Sequence, residues 1–196
     1  MNSLLQNLAS YEIFLASKSP RRQQLLADMG ISFTVLTKDT DESFPADLPA
    51  AEIASYLSRV KAEAFSANEL PTNFLLITAD TVVVKEQLPL NKPGNRAEAV
   101  AMLQTLSGCT HEVITGITIR SRHKLVSFAE ISAVTFDVLD EDEIDFYVDR
   151  HKPFDKAGAY GIQEWIGVIG ISGINGSFYN VMGLPTHVLY QALKSF

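Results

Sequence analysis

A single cysteine, Cys109, occurs in 196 residues. No intramolecular disulfide is possible, and a lone thiol suits a reducing compartment. No basic partner motif surrounds Cys109, so it reads as a small apolar filler rather than a nucleophile. Positive charge is also scarce: 16 Lys and Arg face 23 Asp and Glu, a formal net charge of −7. That balance excludes the usual polynucleotide binder, whose contact surface is basic. It leaves room for a small anion met by a few placed cations. Long apolar runs are missing too. The longest, Phe74 to Val84, is broken by Asp80 and is too short to span a bilayer. Met1 to Tyr11 lacks the basic stretch and apolar run of an export signal, so a cytoplasmic protein with no membrane partner is expected. Walker A, dinucleotide and Ser-His-Asp patterns are absent, and His111, His123, His151 and His187 show no metal-ligand spacing.

What is present is an ordinary globular composition, 46% apolar. The length suits one domain, residues 1–196, or one domain with a pronounced lobe. Ile13 to Ala16 reads as a buried strand. Ser19-Pro20 opens a helix carrying Leu25, Leu26 and Met29 and stopped by Gly30. Phe33 to Leu36 reads as a second strand. The spacing of Ile53, Ala54, Leu57, Val60, Ala64 and Phe65 predicts a helix over Ala50 to Ala67. Phe74 to Val84 is a long β-branched strand. Asn95 with Glu98 caps a helix running to Leu106. Val113 to Ile119 and Leu125 to Val138 pair around a turn at Arg122-His123. Asp140 with Glu143 starts another helix, Ile166 to Ile171 reads as a strand, and Leu184 to Leu193 as a terminal helix. Strands and helices alternate early and a hairpin comes late, which predicts an α/β fold with a mixed sheet.

Two places carry unusual chemistry. Ser17-Lys18-Ser19-Pro20-Arg21-Arg22 lies between the first strand and first helix. Arginines in a first turn oppose the helix dipole, by about 0.3–1 kcal/mol each, unless an anion binds there. The Ser17 and Ser19 hydroxyls and free backbone N–H groups would complete a phosphate cradle; the alternative is two solvated arginines behind a plain Ser19 cap. The second place is Asp80. A carboxylate inside Leu75 to Val84 is costly unless paired, hydrogen-bonded or metal-bound. A hard divalent cation favours carboxylate oxygens and substrate phosphates. Glu42, after the second strand, is a candidate second carboxylate, or simply part of an exposed acidic loop.

Lys61, Lys92 and Lys156 are each ordinary as single lysines. The last sits in Asp155 to Gln163, where Gly158 and Gly161 permit close backbone approach. Gln163 there offers an amide suited to a base edge. Asn175-Gly176-Ser177 is a turn or a cap. The acids from Asp137 to Asp145 suit a solvated helix start.

Taken together, Leu15 to Arg22, Ala79-Asp80-Thr81, Lys92-Pro93 and Asp155 to Gln163 resemble the Maf family of nucleoside triphosphate pyrophosphatases. Leu106-Ser107-Gly108, Thr110-His111, and Asn175 to Ser177 through Gly183-Leu184-Pro185 match as well. The resemblance spans nearly the whole chain. It implies an elongated α/β fold similar to inosine-triphosphate pyrophosphatases, with two lobes around a deep cleft, and a homodimer. It also implies Mg- or Mn-dependent hydrolysis of a nucleoside triphosphate to monophosphate and diphosphate. Asp80 matches the family's proton acceptor and Glu42 a metal-associated carboxylate. Ser17, Arg22, Lys61, Lys92 and Lys156 match positions that meet the triphosphate. Arg21, Thr81 and Gln163 resemble the dTTP/UTP-hydrolysing branch rather than the branch acting on 7-methyl-GTP. A damaged-purine enzyme, or a nucleotide-binding regulator of cell division with little turnover, are the other readings. Glu164-Trp165 departs from the glycine often found there, as does Met182 from valine.

Overall fold

The computed structural model describes residues 5–196; the expectation about Met1 to Tyr11 falls partly on residues 1–4, outside the described residues. Strands β1 (Glu12–Ala16), β2 (Thr34–Leu36), β3 (Phe74–Lys85), β4 (Leu88–Leu90), β5 (Thr110–Arg120), β6 (Leu125–Phe136) and β7 (Ile171–Asn175) form one sheet. Its order is β2-β1-β3-β5-β6-β7, with β4 on β3. The β1–β2 and β1–β3 pairs are parallel, whereas β3–β4 and β6–β7 are antiparallel. The expected mixed α/β fold is therefore present. Helices are α1 (Pro20–Asp28), α2 (Ala50–Glu63), α3 (Arg96–Leu106), α4 (Glu141–His151), α5 (Trp165–Gly170), α6 (Phe178–Val181) and α7 (Thr186–Lys194).

By its contacts the chain forms two compact units: residues 1–80, 115–130 and 183–196 in the first, 81–114 and 131–182 in the second. The first has a cluster of Phe14, Ala62, Phe65, Leu70, Phe74 and Leu76. In the second, Val83, Leu103, Val134, Phe136, Tyr147 and Ile166 belong to one larger cluster. Each Val, Leu, Ile or Phe side chain among them contributes roughly 1.5–3 kcal/mol on burial.

Local signals start most helices. Ser19 accepts the Arg22 N–H with Pro20 in the first turn of α1, and Gly30 follows with φ of 72°. Asn95 accepts the Glu98 N–H at 3.0 Å. Asp140 and Glu143 make a capping box. Ser177 caps α6 by accepting from Asn180, so the Asn175 to Ser177 turn is a cap. The acidic stretch ahead of and within α4 behaves as a solvated face, with Asp145 and Asp149 both paired to Arg96.

Three expectations change. α2 stops at Glu63, four residues short of Ala67. Cys109 is half-buried rather than core filler, and its Sγ receives Lys85 Nζ at 3.3 Å. Ile166 to Ile171 is a helix up to Gly170, not a strand. Ile166 and Gly170 are buried while Val168 and Ile169 face out, a spacing of four rather than two. Gly167 enforces it: a Cβ there would lie 1.9 Å from the Ile162 carbonyl oxygen.

Candidate active site

The parallel register explains where Asp80 comes to lie. β1 pairs with β3 as far as Leu15↔Ile77, and then turns through Ser17 into α1. β3 runs on beside that turn, through Thr78 and Ala79 to Asp80. The start of α1 and the acid in the apolar strand are thereby brought to one end of the sheet, as strand-end sites in α/β sheets require.

Arg22 joins the two. Its Nε donates to the Gly183 carbonyl at 2.7 Å and its Nη1 to the Ala79 carbonyl at 2.8 Å. Burial pulls its guanidinium below the ordinary value; Asp80 and Glu42 act in the opposite direction, and Arg21 reinforces burial. This arginine thus fastens α1 to β3 and to the segment leading into α7, a role its position in the sequence does not reveal. Arg21 beside it is half-buried. Ser17 is buried, and its Oγ accepts the Ser19 N–H at 3.2 Å.

Lys61 gathers the two candidate metal carboxylates. From the last turn of α2 its Nζ donates to Asp80 Oδ1 and lies 2.9 Å from Glu42 Oε1. Asp80 is only 8% exposed, and the ammonium offsets the cost of burying a carboxylate there. Among the described residues no group of three or more His, Cys, Asp or Glu could hold a metal ion. Two adjacent carboxylates nevertheless fit Mg, which takes one or two protein carboxylates and fills its remaining positions with phosphate oxygens and water.

The other predicted residues belong to the second unit. Thr81, half-buried, follows Asp80 on β3, and Lys92 and Gln163 are exposed. Lys156 is buried, with Asp155 Oδ1 at 2.7 Å and Glu164 Oε1 at 3.2 Å. Sequence reasoning missed Tyr147, whose hydroxyl donates to Glu164 Oε2. It lies on the buried stripe of α4 with Ile144 and Val148, where an aromatic reads as core. Gly183 carried a sequence signal only as part of the Gly183-Leu184-Pro185 match; that its carbonyl accepts from Arg22 was not legible there.

The structure resembles that of the Staphylococcus aureus Ham1 protein with a TM-score of 0.50 and 16% identity, covering 92% of this chain and 99% of that one. That likeness concerns the fold alone. The chain is 52% identical over 194 residues to a dTTP/UTP pyrophosphatase of Parabacteroides distasonis, covering 98% of this chain and 100% of that protein. It is 52% identical over 192 residues to one of Bacteroides thetaiotaomicron, covering 97% and 99%. A relative of the same name from Cytophaga hutchinsonii is 50% identical over 190 residues, covering 97% of this chain and 86% of that protein. Among the described residues no helix is long and apolar enough to cross a membrane. The family model described as Maf-like protein matches residues 12–196, and with half the sequence shared along its whole length the chain belongs to the Maf-like protein family.

Proposed function

We propose that this chain hydrolyses dTTP and UTP to the monophosphate and diphosphate, as a cytoplasmic homodimer that uses Mg or Mn. The observation that carries the chemistry is Lys61 drawing Asp80 and Glu42 together. The names of relatives half identical over full length support the substrate.

In this reading Asp80 takes the proton of the attacking water, whose hydroxyl adds to the α-phosphorus. The bond to the α–β bridging oxygen breaks, and that oxygen leaves with the diphosphate. Lys61 orients the Asp80 carboxylate through their contact. Ser17, Arg21 and Arg22 meet phosphate at the start of α1, where the helix dipole adds to them. Lys92 and Lys156 hold the charge of the β- and γ-phosphates to the same extent before and during bond breaking, which is a binding contribution. Thr81 and Gln163 select the pyrimidine, Gln163 through its amide. Glu42 and Asp80 would hold the metal, which when bound supplies positive charge against the phosphate oxygens and polarises them. Positioning and electrostatics then provide most of the rate, as elsewhere in phosphoryl chemistry.

The test is diphosphate release by purified protein with Mg or Mn across a panel of dTTP, UTP, dCTP, 7-methyl-GTP and inosine triphosphate. Release from dTTP and UTP well above the rest is expected. A ranking led by 7-methyl-GTP or by a purine would replace the pyrimidine assignment. Tight binding with the triphosphate recovered intact would mark a nucleotide-binding regulator instead.

A further inference from the structure

Glu164 is the N-cap residue of α5, yet its side chain makes no capping hydrogen bond there. Its carboxylate is turned to other work. Oε2 receives the hydroxyl of Tyr147, and Oε1 lies 3.2 Å from Lys156 Nζ. Tyr147 is fully buried. Its hydroxyl also accepts the Gly161 N–H at 3.0 Å, and the Glu164 N–H returns to the Gly161 carbonyl at 2.9 Å. Space for a side chain at Gly161 is taken by the same group: a Cβ would lie 2.7 Å from Glu164 Cδ. The turn from Gly161 to Glu164 is therefore closed on itself, tied by one carboxylate to α4 and to Lys156. Gln163 projects from within this closed turn and is exposed.

Burial, with help from Glu164, pushes the Tyr147 phenol well above its ordinary value. The phenol is therefore a hydrogen-bond donor near neutrality. The lysine end is equally constrained, because Lys156 is 8% exposed and its ammonium is shared with Asp155. Holding a long flexible side chain in one geometry before a ligand arrives lowers the ordering cost of binding.

We propose that Glu164 is a positioning residue for the nucleotide: through Tyr147 and Lys156 it sets the direction of the Lys156 ammonium and the shape of the Gln163 turn. This rests on the pyrophosphatase reading above and deepens it. Glu164 then acts on nucleotide binding and base choice, not on bond breaking.

Steady-state diphosphate release from dTTP, UTP and dCTP by wild type, Glu164→Gln, Tyr147→Phe and the double variant tests it. Glu164→Gln keeps an acceptor for Tyr147 but loses the charge facing Lys156. Its KM for dTTP and UTP should rise about tenfold, the cost of one charge-assisted contact, with kcat within about twofold. The preference for dTTP over dCTP should shrink. Tyr147→Phe should move KM in the same direction, and the double variant should add little, because both residues serve one network. Glu164→Asp, with its charge on a shorter arm, should fall between wild type and Glu164→Gln, and it carries the test if the Gln variant does not fold. A folded Glu164→Gln with unchanged KM and base ranking overturns the inference. So does a loss confined to kcat that tracks a falling melting temperature, which is what a merely structural role would give. A wild-type protein that releases no diphosphate from any nucleotide overturns the underlying reading instead.

Discussion

Lys61 illustrates how one side chain can have two unequal partners. Its own side chain is 17% exposed, that of Asp80 11% and that of Glu42 45%. Breaking a buried pair leaves a stranded charge at a cost of about 3–5 kcal/mol, while an exposed pair contributes roughly 0–1 kcal/mol. Lys61→Met should therefore destabilise the protein by about 3 kcal/mol, and Glu42→Gln by less than about 1 kcal/mol, as read from denaturant midpoints. Asp80→Asn keeps the shape and removes the proton acceptor. It should lower diphosphate release from dTTP at least about a hundredfold, the lower end for a lost general base, with the circular dichroism spectrum unchanged. Native turnover by that variant would remove Asp80 from the chemistry. The acid could be singled out from the sequence because a carboxylate in an apolar strand needs a reason. Its partner could not, since Lys61 is 19 residues away and joins it only once α2 lies against the sheet.

At the scale of elements, the seating of α2 decides whether Lys61 reaches Asp80. Gly116 on β5 has no room for a side chain: a Cβ would stand 2.2 Å from the Ala54 carbonyl carbon and oxygen. Two residues along the same face of β5, Thr118 Oγ1 meets Ser58 Oγ at 2.9 Å. From β3, Thr78 Oγ1 donates to the Ser58 carbonyl at 2.6 Å. The glycine sets the height of the helix and the hydroxyls set its rotation, three residues before Lys61. Gly116→Ala should cost about 1–3 kcal/mol as overpacking and should also reduce turnover, because the displaced helix carries Lys61 with it. Equal stability and activity in the alanine variant would show that α2 can give way without consequence. The same contrast governs what could be read in advance. Caps at Ser19, Asn95 and Asp140 are local, so the starts of α1, α3 and α4 were legible. The helical state of α5 depends on Gly167 nesting against the Ile162 carbonyl, and an apolar run with two glycines reads as a strand until that contact is known. β4, three residues long, has too few positions to show a period.

For the molecule as a whole, acid is the condition to which the fold should respond first, and in two stages. His111 is 2% exposed, with Nε2 2.8 Å from the Tyr160 hydroxyl and its ring stacked on Phe136. Burial, reinforced by the nearby Lys85 charge, holds it down at about 4 against an ordinary 6.5. In the folded state it stays neutral over a range in which the unfolded chain takes up a proton, so stability is full above pH 6.5 and falls as pH drops toward 4. That gap corresponds to roughly 3 kcal/mol, a large part of a typical stability of about 5–15 kcal/mol. The second stage belongs to carboxylates held below their ordinary values: Asp39 by Lys18, Asp41 by Ser43, Glu69 by Lys38 and Ser66, and Asp149 by Arg96. Their contributions are present above the unfolded values and disappear only as pH falls through the carboxylate range. The two stages can be separated with His111→Gln, which keeps a hydrogen-bonding group beside Tyr160 but does not titrate. Urea midpoints should drop steeply between pH 6.5 and 4 for the wild type and stay nearly flat over that range for the variant. Both proteins should then lose stability together below about pH 4. Parallel curves from pH 7 to pH 4 would mean that the second unit's core tolerates a charged imidazole, and the first stage would have to come from other groups.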